Sequence, residues 1–226
     1  SYKNLEIKRG YKENDLLGGI DPYSSSKASA ELIIQTYIKS FFKKKKNIVI
    51  GVARAGNVVG GGDWSQDRLI PDCIKSWSKN KSVFVRSPKS TRPWQHVLEA
   101  LSGYLVFSEK LSKNEKLHGE VFNFGPSNGK NFSVLDVIKN MKRIWKKVEF
   151  KIETQKNKLY YESRLLKLNS NKAKKILKWK CVLNFNETIN LVSSWYKSFY
   201  EKTEKNENIS INQIKLYEKL FVERIK

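Results

Sequence analysis

The chain has 226 residues, 39% of them hydrophobic and 12% aromatic, which is enough for one substantial domain or two small ones that share a core and is the composition of a globular protein, not a disordered one. Forty-four Lys and Arg against 22 Asp and Glu give a net charge of +22, and two cysteines without metal-ligand spacing offer neither a disulfide framework nor a zinc site. The longest apolar run, Ile48-Val49-Ile50-Gly51-Val52-Ala53, is too short to span a bilayer, and Ser1-Tyr2-Lys3-Asn4 opens with no apolar signal region. The expectation is a cytoplasmic protein with no membrane partner.

The charge admits two readings. A nucleic-acid binder would gather its cations on one face, whereas here lysines occur in nearly every segment beside Asn and Ile, with one dense run, Lys43 to Lys46. No helix-turn-helix, RNP or zinc-knuckle pattern accompanies them. The expectation is compositional bias and no nucleic-acid partner, with a weakly selective pull on anionic substrates.

Residues 1–20 read as loop, punctuated by Gly10, Asn14-Asp15 and Gly18-Gly19. Pro22 marks a helix start, and Ala30, Ile34, Tyr37, Ile38 and Phe41 recur at helical spacing over Tyr23–Phe42. Asn47 to Ala53 is a continuous β-branched run, expected as a strand buried on both faces of a parallel sheet. A helix followed by such a strand is half of a doubly wound α/β unit. Four glycines between Gly56 and Gly62 follow, at the end of a parallel strand where open α/β sheets bind ligands, so the loop either bends sharply or lets a ligand approach.

Helical spacing continues over Leu69–Trp77, Val97–Leu111, Ser133–Trp145, Asn171–Leu177 and Asn186–Tyr200, and Ser133 with Asp136 suggests a capping box. Val83–Val85, Glu120–Phe124 and Val148–Ile152 read as strands. The stretch from Glu201 to Lys226 is highly charged with a thin apolar stripe, expected as a frayed helix or an oligomer contact. His96 is expected to pack structurally and His118 to be solvated. No repeat or flexible linker divides the chain.

Within this frame, Asp21-Pro22-Tyr23-Ser24-Ser25-Ser26-Lys27 carries chemistry. Residues four apart share a helix face, so the Tyr23 phenol and Lys27 ammonium can meet one substrate, and a nearby cation stabilises phenolate. The same spacing also describes an amphipathic surface pair. Further motifs follow in order: Ala53-Arg54-Ala55-Gly56-Asn57-Val58-Val59-Gly60-Gly61-Gly62-Asp63-Trp64, Arg68-Leu69-Ile70-Pro71-Asp72 and Arg92-Pro93-Trp94-Gln95-His96-Val97-Leu98-Glu99. Val121-Phe122-Asn123-Phe124-Gly125-Pro126 and Leu165-Leu166-Lys167-Leu168-Asn169-Ser170-Asn171-Lys172-Ala173 complete the set.

Together these resemble the extended short-chain dehydrogenase/reductase family of nucleotide-sugar epimerases and dehydratases, over about residues 2–200. The wording is most similar to the CDP-glucose 4,6-dehydratase branch, ahead of the dTDP-glucose and GDP-mannose branches. The resemblance implies a partial NAD-binding Rossmann sheet over residues 1–60 and a smaller mixed α/β substrate-binding region over 61–200, with 94–125 packing back on the first; residues 201–226 would be a charged extension. It implies NAD as cofactor and CDP-glucose as substrate, converted to CDP-4-keto-6-deoxyglucose for deoxysugar and surface-polysaccharide synthesis. Tyr23 would take the 4-hydroxyl proton while C4 gives up hydride, and Lys27 would hold the cofactor ribose. Ala53 and Gly56 would complete the cofactor contacts. Asn57 would contact the nucleotide-sugar, Arg92 its diphosphate, and Arg68, Leu69 and Arg86 its nucleotide end; Arg68 and Arg86 also read as ordinary surface arginines. The resemblance further implies a homodimer formed through the Tyr23–Phe42 helix.

Two things the family carries have no match here: the Gly-rich turn that holds a dinucleotide pyrophosphate, and the threonine and acid/base pair that assist the tyrosine. The sequence therefore reads as the C-terminal portion of a dehydratase, expected neither to bind NAD tightly nor to turn over by itself. A basic nucleotide- or RNA-binding module and another epimerase or dehydratase of the family remain the alternatives.

Overall fold

A computed structural model describes residues 1–45, 47–126, 131–146, 148–153 and 163–225. It is an α/β structure in which short parallel strand pairs are packed between helices. Residues 1–20 form the expected loop, pinned where Lys3 N–H meets the Leu16 carbonyl (2.9 Å) and Tyr11 N–H meets the Lys167 carbonyl (2.8 Å).

Helix α1 spans Pro22–Tyr37. Its start is local chemistry: the Asp21 carboxylate accepts the Ser24 N–H at 2.9 Å, and Pro22 sits where a missing N–H costs nothing. A turn of π helix, Ile38–Phe42, extends it. Ala28, Glu31 and Ile38 face inward, while Leu32, Ile33, Ile34, Tyr37 and Phe41 are exposed.

The strand expected over Asn47–Ala53 begins later. Strand β1 spans Val52–Ala55, because its partner is available only from there: Val52 to Ala55 pair in parallel with Val121 to Phe124. Ahead of Val52 the partner segment turns through Gly119 (φ +80°), so Ile50 bonds to the turn instead. Its carbonyl accepts Gly119 N–H at 2.7 Å, and its N–H reaches His118 Nδ1 at 3.2 Å. This corrects the expectation that His118 is solvated: its Nδ1 is engaged and its Nε2 is buried.

Strand β2 (Asn57–Val59) follows, then α2 (Leu69–Trp77), β3 (Val83–Val85), β4 (Thr91–Arg92), β5 (Trp94–His96) and α3 (Val97–Lys113). Strand β6 is Val121–Phe124, the partner of β1; β7 (Phe132–Ser133), α4 (Val134–Met141), β8 (Phe150–Ile152), α5 (Phe185–Glu201) and α6 (Asn206–Ile225) complete the order. Strand β2 pairs in parallel with β5 and β3 with β8; β4 pairs antiparallel with β7. The capping box read from Ser133 and Asp136 is present, with Asp136 N–H on Ser133 Oγ at 3.1 Å and Ser133 N–H on the Asp136 carboxylate at 2.8 Å.

One apolar core joins α2, α4 and α5 through Ile74, Trp77, Ile138, Met141, Ile189 and Tyr196. A second joins α3 to β6 through Phe107, Phe122 and Phe124, closed by Leu177 and Trp179. Helix α6 is docked and not frayed. Ile209 and Tyr217 are buried, and Arg224 forms a two-point ion pair with Glu187 at 2.8 and 2.9 Å while donating to the Val182 carbonyl. No described helix is long and apolar enough to cross a membrane.

The glycine-rich loop is shaped by packing. A Cβ on Gly61 would lie 2.1 Å from the Trp195 ring, so the loop lies flat against that indole. Gly103 of α3 likewise lets the helix approach Phe124, where an added Cβ would come within 2.3 Å of the ring. Glycine to alanine ordinarily stabilises a helix, but here the close contact reverses the sign. Gly103→Ala should lower the unfolding free energy by about 1–3 kcal/mol, read as a lower urea midpoint at unchanged slope; an unchanged or higher midpoint contradicts this packing.

Candidate active site

Tyr23 and Lys27 occupy the first turns of α1 with their side chains toward solvent. Lys27 Nζ lies 5.8 Å from the Tyr23 ring centroid, and Tyr23 is 65% exposed. Among the described residues the phenol hydroxyl has no hydrogen-bond partner within the chain, so it is available to a ligand. The helix-spacing argument is thus realised: the two side chains share one face.

Glu31, one further turn along, turns inward and is 6% exposed. Arg54 of β1 meets it with two nitrogens, Nε at 2.9 Å from one carboxylate oxygen and Nη2 on the other. The remaining guanidinium nitrogen donates to the Tyr2 hydroxyl and to the Glu13 carbonyl (3.0 Å). The Tyr2 hydroxyl donates to Asn123 Oδ1 at 2.7 Å, and burial pushes its phenol pKa up to about 12. Asn123 in turn donates to the Tyr11 and Asn169 carbonyls. Sequence reasoning missed this network. Its one signal was an arginine inside an apolar strand, which needs a buried partner.

Two residues after Arg54 the chain reaches Gly56, whose N–H donates to the Phe124 carbonyl at 3.3 Å, and then Asn57. Asn57 opens β2 opposite Trp94, so the register sets Gly56–Asn57 beside the Arg92–Trp94 segment. Ala53 is exposed on β1. Arg92 is half-buried, and its Nη1 donates to the Thr91 and Ser163 carbonyls, both at 2.9 Å, which fixes the base of the guanidinium. It lines a cavity of about 330 Å³ together with Lys167, Asn131, Trp94, Leu168 and Phe185. Arg92 and Lys167, with Arg224 (itself paired with Glu187) and one buried carboxylate, Glu99, on the same part-aromatic wall, leave a net positive lining that suits an anionic ligand.

Arg68, Leu69 and Arg86 form a separate group. Arg68 precedes α2 and is exposed, Leu69 is its first, half-buried residue, and Arg86 leaves β3 close enough to act on the Asp72 carboxyl of α2. Between α1 and β1, the strand that leads on to Asn57, the ion pair of Glu31 with Arg54 forms a direct link.

His96 packs as expected. It is 2% exposed, its Nδ1 accepts the Leu98 N–H at 3.3 Å at the start of α3, and burial lowers its pKa to about 4, so it stays neutral. At the inner end of the cavity, Glu99 is the buried carboxylate. It accepts the Val182 and Leu183 N–H groups at 2.8 and 2.6 Å and the Tyr217 hydroxyl at 3.0 Å. Burial, the dominant influence, raises its pKa above 4.5, while these three donors oppose the rise. A raised folded-state pKa stabilises the protein fully below about 4.5, and that contribution is lost as pH climbs through the folded value.

Comparisons with known proteins bear on the family and the fold. The family model described as GDP-mannose 4,6 dehydratase matches residues 4–192. CDP-glucose 4,6-dehydratase of Salmonella typhimurium is 38% identical over 203 residues, 88% of this chain and 56% of that protein. UDP-glucose 4-epimerase of Mycoplasma pneumoniae is 25% identical, over 80% of this chain and 55% of its own length. Among solved structures, UDP-glucuronic acid 4-epimerase from Bacillus cereus with UDP-glucuronic acid and NAD matches with a TM-score of 0.72 at 20% identity, covering 88% of this chain and 59% of that one. dTDP-glucose 4,6-dehydratase from Bacillus anthracis with NAD matches with a TM-score of 0.67 at 23% identity, covering 85% and 57%. At those identities the structural likeness is one of fold. The chain spans a little over half the length of these relatives.

Glu99→Gln removes the proton linkage and keeps the shape. The urea midpoint of the wild type minus that of Glu99→Gln should fall between pH 4 and pH 8; a difference that stays constant or rises contradicts the burial of a charged Glu99.

Proposed function

Because the chain belongs to the GDP-mannose 4,6-dehydratase family of nucleotide-sugar dehydratases and epimerases, we propose that it carries the substrate side and the base of an NAD-assisted 4,6-dehydration of CDP-glucose in the cytoplasm. The observation that carries the reading is the 38% identity to a CDP-glucose 4,6-dehydratase, together with a family match whose span takes in Tyr23, Lys27, Asn57 and Arg92.

The residues present fit the cofactor: the exposed Tyr23 phenol and Lys27 ammonium, the exposed Ala53 and the neighbouring Gly56 would hold NAD. Bound there, NAD supplies a reversible acceptor for the hydride of sugar C4. As a phenolate, Tyr23 takes the proton of the 4-hydroxyl and becomes a neutral phenol, a role open to a side chain whose oxygen meets no partner among the described residues. Lys27 opposes the negative charge that the Tyr23 oxygen carries before it takes that proton. Arg92, its guanidinium oriented by the two carbonyls that Nη1 meets, brings positive charge to the diphosphate oxygens, and Lys167 adds to it on the same wall. Asn57 orients the sugar, and Leu69 offers the nucleotide an apolar contact between Arg68 and Arg86.

A second reading within the family is a 4-epimerase, supported by the likeness to epimerases in both sequence and fold. The 38% identity favours the dehydratase. The exposed side chains of Leu32, Ile33, Ile34, Tyr37 and Phe41 support a homodimer through α1 and its π turn. In sedimentation, Phe41→Glu should shift a dimer to a monomer; a wild-type protein that sediments as a monomer overturns that part of the proposal.

Ligand binding tests the site directly. By calorimetry the chain should bind CDP-glucose more tightly than dTDP-glucose or GDP-mannose, and Arg92→Leu should weaken it by about tenfold or more, the size of a lost charge-assisted bond. Equal affinity for the three sugars, or an unaffected Arg92→Leu variant, contradicts the assignment.

A further inference from the structure

Lys27 has two partners within reach of its own helix. Tyr23 lies four residues before it and Glu31 four residues after, and both offsets place side chains on one helical stripe. An acid–lysine pair four apart is ordinarily attractive, so a Glu31 left to itself would compete with Tyr23 for the ammonium. The competition does not occur. Both carboxylate oxygens of Glu31 are taken by Nε and Nη2 of Arg54, and the two side chains are only 7% and 10% exposed. Lys27 forms no ion pair with Glu31 and instead leans over the Tyr23 ring, 5.8 Å from its centroid.

We propose that Arg54 is a positioning residue: by occupying both oxygens of Glu31 it keeps the Lys27 ammonium free for Tyr23 and the ligand. The inference rests on the reading of Tyr23 and Lys27 as the working base. It assigns to Arg54 and Glu31 a part in the chemistry that neither plays by touching the reacting atoms. The fork geometry matters, because a guanidinium reaches both carboxylate oxygens at once and an ammonium does not. The same pair ties the helix that carries the base to the strand that leads, three residues later, to Asn57. Arg54 thus sets both the charge balance of the base and its place relative to the sugar.

The competition predicts a specific exchange of partners. In Arg54→Leu, Glu31 loses its fork and recruits Lys27; in Arg54→Leu/Glu31→Gln, nothing is left to recruit it. The readout is the acetylation rate of Lys27 under an N-hydroxysuccinimide acetate, followed by peptide mass spectrometry and normalised to the exposed Lys39 of the π turn. Relative to wild type, Arg54→Leu should slow Lys27 by at least about twofold, the equivalent of an exposed i,i+4 ion pair, and the double variant should restore the rate. A mere loosening of the helix would raise the rate in both variants, and that result overturns the proposal, as does a slow rate that the double variant fails to restore. Should Arg54→Leu not fold, Glu31→Gln alone decides. Lys27 reactivity unchanged from wild type supports the proposal, and a faster rate means that Glu31 already held Lys27. The measurement needs no turnover, so a failure of the dehydratase reading would show separately, as CDP-glucose left unchanged.

Discussion

The Arg54–Glu31 ion pair is the constraint on which the arrangement of this molecule turns. A carboxylate and a guanidinium removed from water are tolerable only when each satisfies the other, and here the match is two-point with further donors placed on Tyr2 and the Glu13 carbonyl. Each partner sits on a different element. The pair therefore fixes α1 against β1, and through Tyr2 and Asn123 it fixes the N-terminal loop against β6. Hydrophobic contact alone could not set that register, because α1 buries little besides Ala28 and Glu31. Directional polar bonds do so instead.

From this constraint the layout of the site follows. The tyrosine and lysine stand on the solvent side of a helix whose inner side is anchored, while the strand that anchors it runs on to Asn57 and lies beside the Arg92 segment. Apolar packing then supplies the rest of the frame. The glycine loop lies against Trp195, and α3 approaches Phe124 through Gly103, while β2 and β5 pair and set Asn57 beside Trp94, two residues after Arg92. Glu99, buried beneath the cavity, gathers α6 and the segment at Val182 and Leu183 around one carboxylate.

Much of this was legible in the sequence where the cause is local. The start of α1 follows from Asp21 and Pro22, the start of α4 from Ser133 and Asp136, and the Tyr23–Lys27 face from their spacing; each depends on residues within one turn. Features that depend on distant partners were not legible. The late beginning of β1 is decided by where β6 turns away, and the role of His118 by the amide N–H of Ile50. The glycines near Gly61 fit equally a ligand or a ring, and only the position of Trp195 decides between them. Helix α6 has a thin apolar stripe that packs against Val182, Leu183 and Leu191, and to this is added the polar reach of Tyr217 to Glu99 and of Arg224 to Glu187, which periodicity does not show. Arg54 was in plain view within a motif, but its partner on α1 is 23 residues away.

The central claim is that Tyr23 acts as the base in a dehydration of CDP-glucose. Its most direct test is the mass of the product formed from CDP-glucose with NAD by the protein as its cell makes it, beside the same protein carrying Tyr23→Phe. The account predicts a nucleotide-sugar lighter by one water from the first and unchanged CDP-glucose from the second. A product of unchanged mass with an inverted sugar carbon, or a water loss that survives Tyr23→Phe, would contradict it.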